Sequence, residues 1–497
     1  MARRATLSVC MIARDEAARL PRALESVRGV AHEVIVVDTG SRDNTMALAH
    51  ALGARVLETP WTDDFAAARN VALGAAKSDW ILSLDADEEL APGQKTVLAA
   101  CLARRDVDAW NVLLRSKLGG TQAGLEFQHQ FPRLFRNGLA IRFAGRVHEQ
   151  VRGSLDAAGA RVQTSGIVLV HSGYDIDART RKAKLERNLK LLQLDHADRP
   201  DDGFLHFHLG ETWTQLGKFE EARLWYERAL RSAGLDGAHR AAAHQNLASV
   251  LLQQGCLREA AMQALRALRT DRDTLPAWLH LAAARIRMGD YEGGVRSAGT
   301  YLKRTTAVAS EKRCLGFAAD AARAWLMIGE GQLRAQQIDA AVQAVQEIHA
   351  LRPEWAAGER LAARVALAQG RNAEAVECLR RAAAWEPGLA AGWCELVRVL
   401  AEAGELAGAL AAINDAAASV EDPAVYRMQG MLRLRCGDLV AAVQSYESVL
   451  RLDATAADAH RKLAGLYRKL GDEGRAHRHL EWLQRAGEVS AETVLAG

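Results

Sequence analysis

The sequence predicts an α/β domain followed by an all-α array of paired helices. Up to about residue 177, short apolar runs alternate with helical patterns, the order that builds a mainly parallel sheet with helices on both faces. From about Gly203 onward the chain is helical, and small-residue turns recur at a nearly constant interval. At 497 residues the chain is also too long for one ordinary core.

The elements of the first part follow in order. LSVCMIAR is a strand, followed by a helix to about Val27, and EVIVVDTG is the second strand. A helix through Ala47 and Leu52 leads to a third strand, ARVLETP. FAAARNVALGAAK is a helix with Asp63 or Asp64 as N-cap. WILSLDADE is the fourth strand, with a helix opening at Pro92. From about Val107 to Tyr174, the runs AWNVLLR, FPRLFRN, IRFAGRVHEQV and GIVLVHSGY read as strands of a smaller mixed subregion. A charged helix, DARTRKAKLERNLKLLQLDHA, closes this part. The expected divisions are residues 1–177, a linking helix at 178–202, and a repeat domain at 203–497.

In the repeat domain, Gly217, Gly255, Gly289, Gly370, Gly404, Gly437 and Gly471 are spaced 33 to 38 residues apart, with one gap of 81. The gap closes if Gln336 holds the turn of one more unit and a longer insertion lies around Ala307 to Gly316. A period near 34 residues is that of tetratricopeptide helix pairs, and about eight would stack into a superhelix. In the first unit, Gly210 and Ala222 let the helices approach while Trp213 and Tyr226 fill the space between them.

Bulk properties exclude several functions. Net charge is +3, which makes no case for nucleic acid or an anionic membrane surface. The N-terminal apolar run is short and runs into charge, so it reads as a buried strand rather than a signal peptide. No run approaches the length of a membrane span. The seven cysteines are scattered singly, against a zinc knuckle or disulfide framework and in favour of a reducing cytoplasm.

Chemistry concentrates at strand ends, where sheets of this kind bind ligands. Asp38 closes the second strand before Gly40, while Asp43 reads as a helix cap; the alternative is a plain strand-turn-helix connection. Asp85 and Asp87 end the fourth strand one residue apart, so they either converge on a divalent cation or cap the next helix. Glu88 and Glu89 read as solvated. His148, Glu149 and His171 lie at the ends of later apolar runs.

In this order, VDTGSRDNT, FAAARN, DWILSLDADEE, FAGRVHEQV and VHSGY resemble the family 2 glycosyltransferases of the GT-A fold, a Rossmann-like mixed sheet. With its repeats the chain is similar to the bacterial peptide S-glycosyltransferases of the glycocin pathway. The resemblance spans Leu7 to Asn188. It implies that Ala13, Asp15 and Glu16 lie beside the nucleotide base, Asp38 contacts the uridine, and Arg69 and Asn70 border the donor pocket. Family members often have Asn at the position of Asp15, and many have a second Asp where Thr39 stands. Asp85 and Asp87 form the family's DxD motif, with Asp87 on Mn²⁺ or Mg²⁺ and Asp85 at the ribose or a metal-bound water. His171 supplies a further metal ligand. Glu149 is the base, with His148 as its rival. Lys182, Lys184 and Arg187 either meet the diphosphate or form a solvated face.

The implied activity is cytoplasmic, metal-dependent transfer of a hexose or N-acetylhexosamine from a UDP-sugar, with inversion. The acceptor would be a peptide or protein held by the repeats, which would otherwise drive self-association into a dimer. The alternatives are an inactive repeat scaffold, or a transferase acting on a saccharide or lipid acceptor in envelope assembly.

Overall fold

The computed structural model describes residues 4–117, 126–171, 178–232, 234–308 and 320–488. The chain divides into two compact units, residues 1–320 and 321–497.

In the first unit the elements are β1 (Leu7–Ala13), α1 (Leu20–Val27), β2 (Glu33–Asp38), α2 (Thr45–Ala51), β3 (Arg55–Glu58) and α3 (Phe65–Ala75). They continue with β4 (Trp80–Ser83), β5 (Glu88–Leu90), α4 (Lys95–Ala103), β6 (Ala109–Lys117), β7 (Glu126–Arg136), α5 (Arg152–Ala157), β8 (Val162–His171) and α6 (Ala178–Asp198). One eight-stranded sheet runs in the order β3-β2-β1-β4-β7-β6-β8-β5. The half from β3 to β4 is parallel. β7 lies antiparallel to both β4 and β6, β6 and β8 are parallel, and β5 closes the edge antiparallel to β8.

The strands are apolar on both faces because helices cover both. Leu7, Val9 and Met11 pack with Leu20 and Leu24 of α1 and Leu98 of α4. Cys10, Ile35 and Ile81 point the other way, onto Ala66, Ala72 and Leu73 of α3. This two-sided burial gives β1 its near-continuous apolar run rather than an alternating one. Asp64 caps α3 by accepting from the Ala67 N–H at 2.8 Å.

Three expectations are corrected. WILSLDADE is not one strand: β4 stops at Ser83, Leu84–Asp87 turn, and β5 begins at Glu88 on the far edge of the sheet. The helix expected at Pro92 opens at Lys95, after a turn in which Gly93 has φ +77°. IRFAGRVHEQV is an irregular loop with one bridge, Ala144 to Gln150, leading into α5. Positive φ at Gly145 (+99°) and His148 (+55°) is incompatible with an extended strand there.

After α6, the first unit adds three helix pairs: α7 (Gly203–Gln215) with α8 (Phe219–Arg231), α9 (Gly237–Gln253) with α10 (Leu257–Thr270), and α11 (Leu275–Arg287) with α12 (Tyr291–Val308). The second unit has five more pairs among the described residues, from Ala321 to Arg485. All seven turn glycines have positive φ, and Gln336 takes the same left-handed turn at φ +60°. Most of the longer insertion expected around Ala307 to Gly316 lies outside the described residues.

Gly210 of α7 lies where a Cβ would sit 2.7 Å from the Tyr226 ring on α8, and Gly430 stands likewise against Tyr446 in the second unit. Gly210→Leu is therefore expected to destabilise the first unit by about 1–3 kcal/mol, leucine's better helix propensity notwithstanding. Urea unfolding of the full chain measures this.

The six described cysteines are free thiols. No helix among the described residues is long and apolar enough to cross a membrane.

Candidate active site

A chain of alternating charge runs through the carboxyl ends of the strands. Arg69, on the buried face of α3, sends Nη2 to Asp85 Oδ1 at 2.6 Å and Nε to Glu149 Oε1 at 2.5 Å. Arg133 of β7 sends Nη2 to Asp85 Oδ2 and to Glu88 Oε1, both at 3.2 Å. The series is Glu149, Arg69, Asp85, Arg133, Glu88. Phe143 and Phe131 present their ring faces to Arg69 and Arg133, at 5.4 and 4.5 Å.

Burial opposes ionisation of Asp85, but the two guanidiniums outweigh it and hold this carboxyl well below the usual carboxylate range. Glu88 is raised: burial dominates over Arg133, and the charges of Asp85 and Asp87 add to it. The expectation that Glu88 is solvated fails, since its residue is 2% exposed. Glu88 lies inside the sheet edge because β5 pairs with β8. Glu89 points outward to Arg22 at 2.7 Å.

The loops after β1 and β2 are fastened together. Asp38 is buried and accepts from the backbone N–H groups of Gly40 and Ser41, each at 2.9 Å, and from the Ser41 hydroxyl. Gly40, at φ +104°, makes that tight turn. Asp15, itself at φ +56°, donates its N–H to Ser41 Oγ at 2.9 Å and accepts from the Arg42 N–H at 2.7 Å. The N–H of Glu16 reaches Thr45 Oγ1 at 2.8 Å, and that of Ala17 reaches Asp43 Oδ2 at 3.1 Å. Ala13 is buried and accepts the Thr39 N–H at 3.0 Å. Burial raises the Glu16 carboxyl, and the charge of Asp87 adds to this.

Asp87 meets His171. The β5–β8 register sets Glu88 opposite His171, and His171 Nε2 lies 3.0 Å from Asp87 Oδ2. This is a direct hydrogen bond, and the same separation is that of two adjacent ligands about 2.1 Å from one octahedral ion. Among the described residues, no three metal-ligating side chains converge.

The loop carrying His148 and Glu149 is held from two sides. Both functions of the Asn70 amide bind the Phe143 backbone, at 2.9 Å each. Asp195 of α6 accepts from the Arg146 N–H at 2.7 Å. His148 stacks on His208 of α7 with centroids 4.1 Å apart, and burial together with the His208 charge holds its pKa below the usual imidazole value. Arg69, Asp85 and Glu149 thus come together, as do Asp87 and His171, while Asn70 serves the loop and His148 faces the first repeat. Arg133, Asp195 and His208 were not anticipated. Arg133 was findable, as an arginine between Phe131 and Phe135 on one face of a strand.

The family described as glycosyl transferase family 2 matches residues 8–138, and tetratricopeptide repeat families match residues 191–237 and 366–432. A TPR repeat-containing protein of Synechococcus elongatus is 39% identical over 287 residues, covering 56% of this chain and 70% of that protein. The chain is a tetratricopeptide repeat-containing protein that carries a glycosyl transferase family 2 domain at residues 8–138. An uncharacterized glycosyltransferase of Rickettsia bellii is 39% identical over 104 residues, covering 21% of this chain and 35% of that protein. The SPbeta prophage-derived glycosyltransferase SunS of Bacillus subtilis is 24% identical over 229 residues, covering 46% of this chain and 54% of that one. This glycosyltransferase carries its charged chain inside the matched region, save for Glu149, which lies just beyond it.

Proposed function

We propose that this glycosyltransferase moves a hexose or N-acetylhexosamine from a UDP-sugar to a peptide or protein, with inversion, in the cytoplasm. The transferase part is residues 1–177, joined through 178–202 to the repeats. The observation that carries the reading is the ion chain from Glu149 through Arg69 to Asp85, beside the Asp87–His171 pair.

Asp87 and His171 would hold Mn²⁺ or Mg²⁺, which supplies positive charge for a diphosphate leaving group. The stapled loops with Asp15, Glu16 and Asp38 bound the nucleoside. Asp85 orients the donor's ribose. Glu149 takes the proton from an acceptor hydroxyl or thiol as that atom bonds to the anomeric carbon, and the bond from that carbon to UDP breaks on the opposite face. Arg69 fixes the Glu149 carboxylate toward the sugar. His148 gives way to Glu149 as base because its ring lies flat on His208 of the first repeat, while the Glu149 carboxylate faces Arg69 and the strand ends.

A panel of nucleotide sugars tests this reading. UDP-hexoses with Mn²⁺ are expected to raise the melting temperature of the full chain and to be consumed slowly, and EDTA is expected to remove both effects. Equal responses to GDP- and UDP-sugars, or turnover indifferent to EDTA, would defeat it.

A further inference from the structure

Four histidines from four elements gather around Glu211: His129 on β7, His148 in the loop, His208 on α7 and His239 on α9. Glu211, one turn along α7, lies within electrostatic reach of His129, His148 and His239, and its Oε2 is 2.9 Å from His208 Nδ1. Phe204 sets its ring edge-on to both His208 and His239, at 4.3 and 5.0 Å.

A purely structural cluster would satisfy its polar atoms. Here His208 Nε2 is enclosed yet has no hydrogen-bond partner among the described residues. Glu211 keeps 35% of its side-chain surface open, although charged and polar groups surround it. Together these make a polar patch in which the Glu211 carboxylate is the open group and the His208 ring lies behind it. Its position follows from the chain, because His148 immediately precedes Glu149 and its ring lies flat on that of His208.

The chemistry of the patch narrows its occupant. Burial holds His129, His148 and His208 below the usual imidazole range, so each offers one donor and one acceptor without charge. Glu149 and Glu211 add carboxylates. Such a wall repels a lipid phosphate and suits peptide amides, hydroxyls and basic side chains. α7 and α9 open successive repeats, the arrangement on which repeat arrays carry extended segments.

We propose that α7 of the first repeat is one wall of the acceptor site, with His208 and Glu211 as positioning residues for a neutral or basic peptide segment beside Glu149. The inference rests on Glu149 being the base.

The test uses the full chain, Mn²⁺ and radiolabelled UDP-glucose and UDP-N-acetylglucosamine. The acceptors are degenerate nonapeptide pools with a central Ser, Thr or Cys, with polyprenyl phosphate in detergent as a separate arm. Glu211→Gln is expected to raise the peptide KM about tenfold while kcat and the donor KM each move less than about twofold. His208→Asn is expected to do the same, and Glu221→Gln, on the exposed side of α8, is expected to change nothing. Peptide KM values equal in Glu211→Gln and Glu221→Gln overturn the inference and leave the transferase reading standing. So does a parallel loss in kcat and both KM values. Label entering only the lipid overturns the peptide assignment, and no donor turnover in any arm overturns the Glu149 reading along with it.

Discussion

Arg69→Met is expected to destabilise the first unit by about 3–5 kcal/mol and to lower sugar transfer about 100-fold or more. The guanidinium is buried between Asp85 and Glu149, each within 2.6 Å of it. Methionine fills similar space but leaves two carboxylates facing each other without their shared cation. The cost is the desolvated charge left behind, more than the attraction lost. Arg69→Lys should recover much of the stability, since charge is kept, and little of the activity. A lysine cannot engage both carboxylates with the fixed fork of a guanidinium. Urea unfolding and the transfer assay on the same preparations separate the two effects. A methionine variant within about 1 kcal/mol and twofold of the parent would mean the chain of charges has no such role.

Asp87→Asn is expected to leave the fold intact and to reduce metal-stimulated turnover about 100-fold. Asp87 sits in a turn with a quarter of its side chain exposed, and its carboxylate meets His171 at 3.0 Å. Asparagine preserves its size and can still hydrogen-bond the imidazole, so stability should move by less than about 1 kcal/mol. What it loses is the negative charge toward a divalent ion. The Mn²⁺ concentration giving half-maximal turnover should rise at least tenfold. An unchanged Mn²⁺ dependence would remove Asp87 from the metal site.

The repeat array was the most legible part of the sequence, because one steric requirement recurs. Each turn between paired helices needs a left-handed residue, and seven glycines announce it. Gln336 was found only by interval, and it takes the same conformation without a glycine's freedom. The parallel half of the sheet was legible for a similar reason: strands buried on both faces write themselves as unbroken apolar runs. The order of motifs was enough to bring Arg69, Asp85, Asp87, Glu149 and His171 to one region.

The rest depended on pairing between distant strands, which local pattern does not encode. Glu88 reads as a surface acid among acids, and only the β5–β8 ladder turns it inward against Arg133. The stretch from Ile141 to Val151 has the apolar spacing of a strand. Its path is instead dictated by Asn70 and Asp195, on helices far away in sequence. His208 and Glu211 look like ordinary positions of a first repeat helix until His148 is laid against them.

The passage from β4 to β5 has a mechanical consequence. The two strands are four ladder steps apart, about 19 Å if the sheet were flat. Only Leu84 to Asp87 join them, and the Glu88 N–H bonds back to the Asp85 carbonyl at 3.0 Å, a tight turn that spans less than about 7 Å between its ends. The sheet must therefore roll over until its far edge returns to its centre, like a cuff drawn shut. Asp85 and Asp87 are the clasp of that cuff, so the distance between the two carboxylates is set by the curvature of the strands rather than by the turn alone. A residue inserted between them would slacken the roll and part Asp87 from Asp85 without altering either side chain.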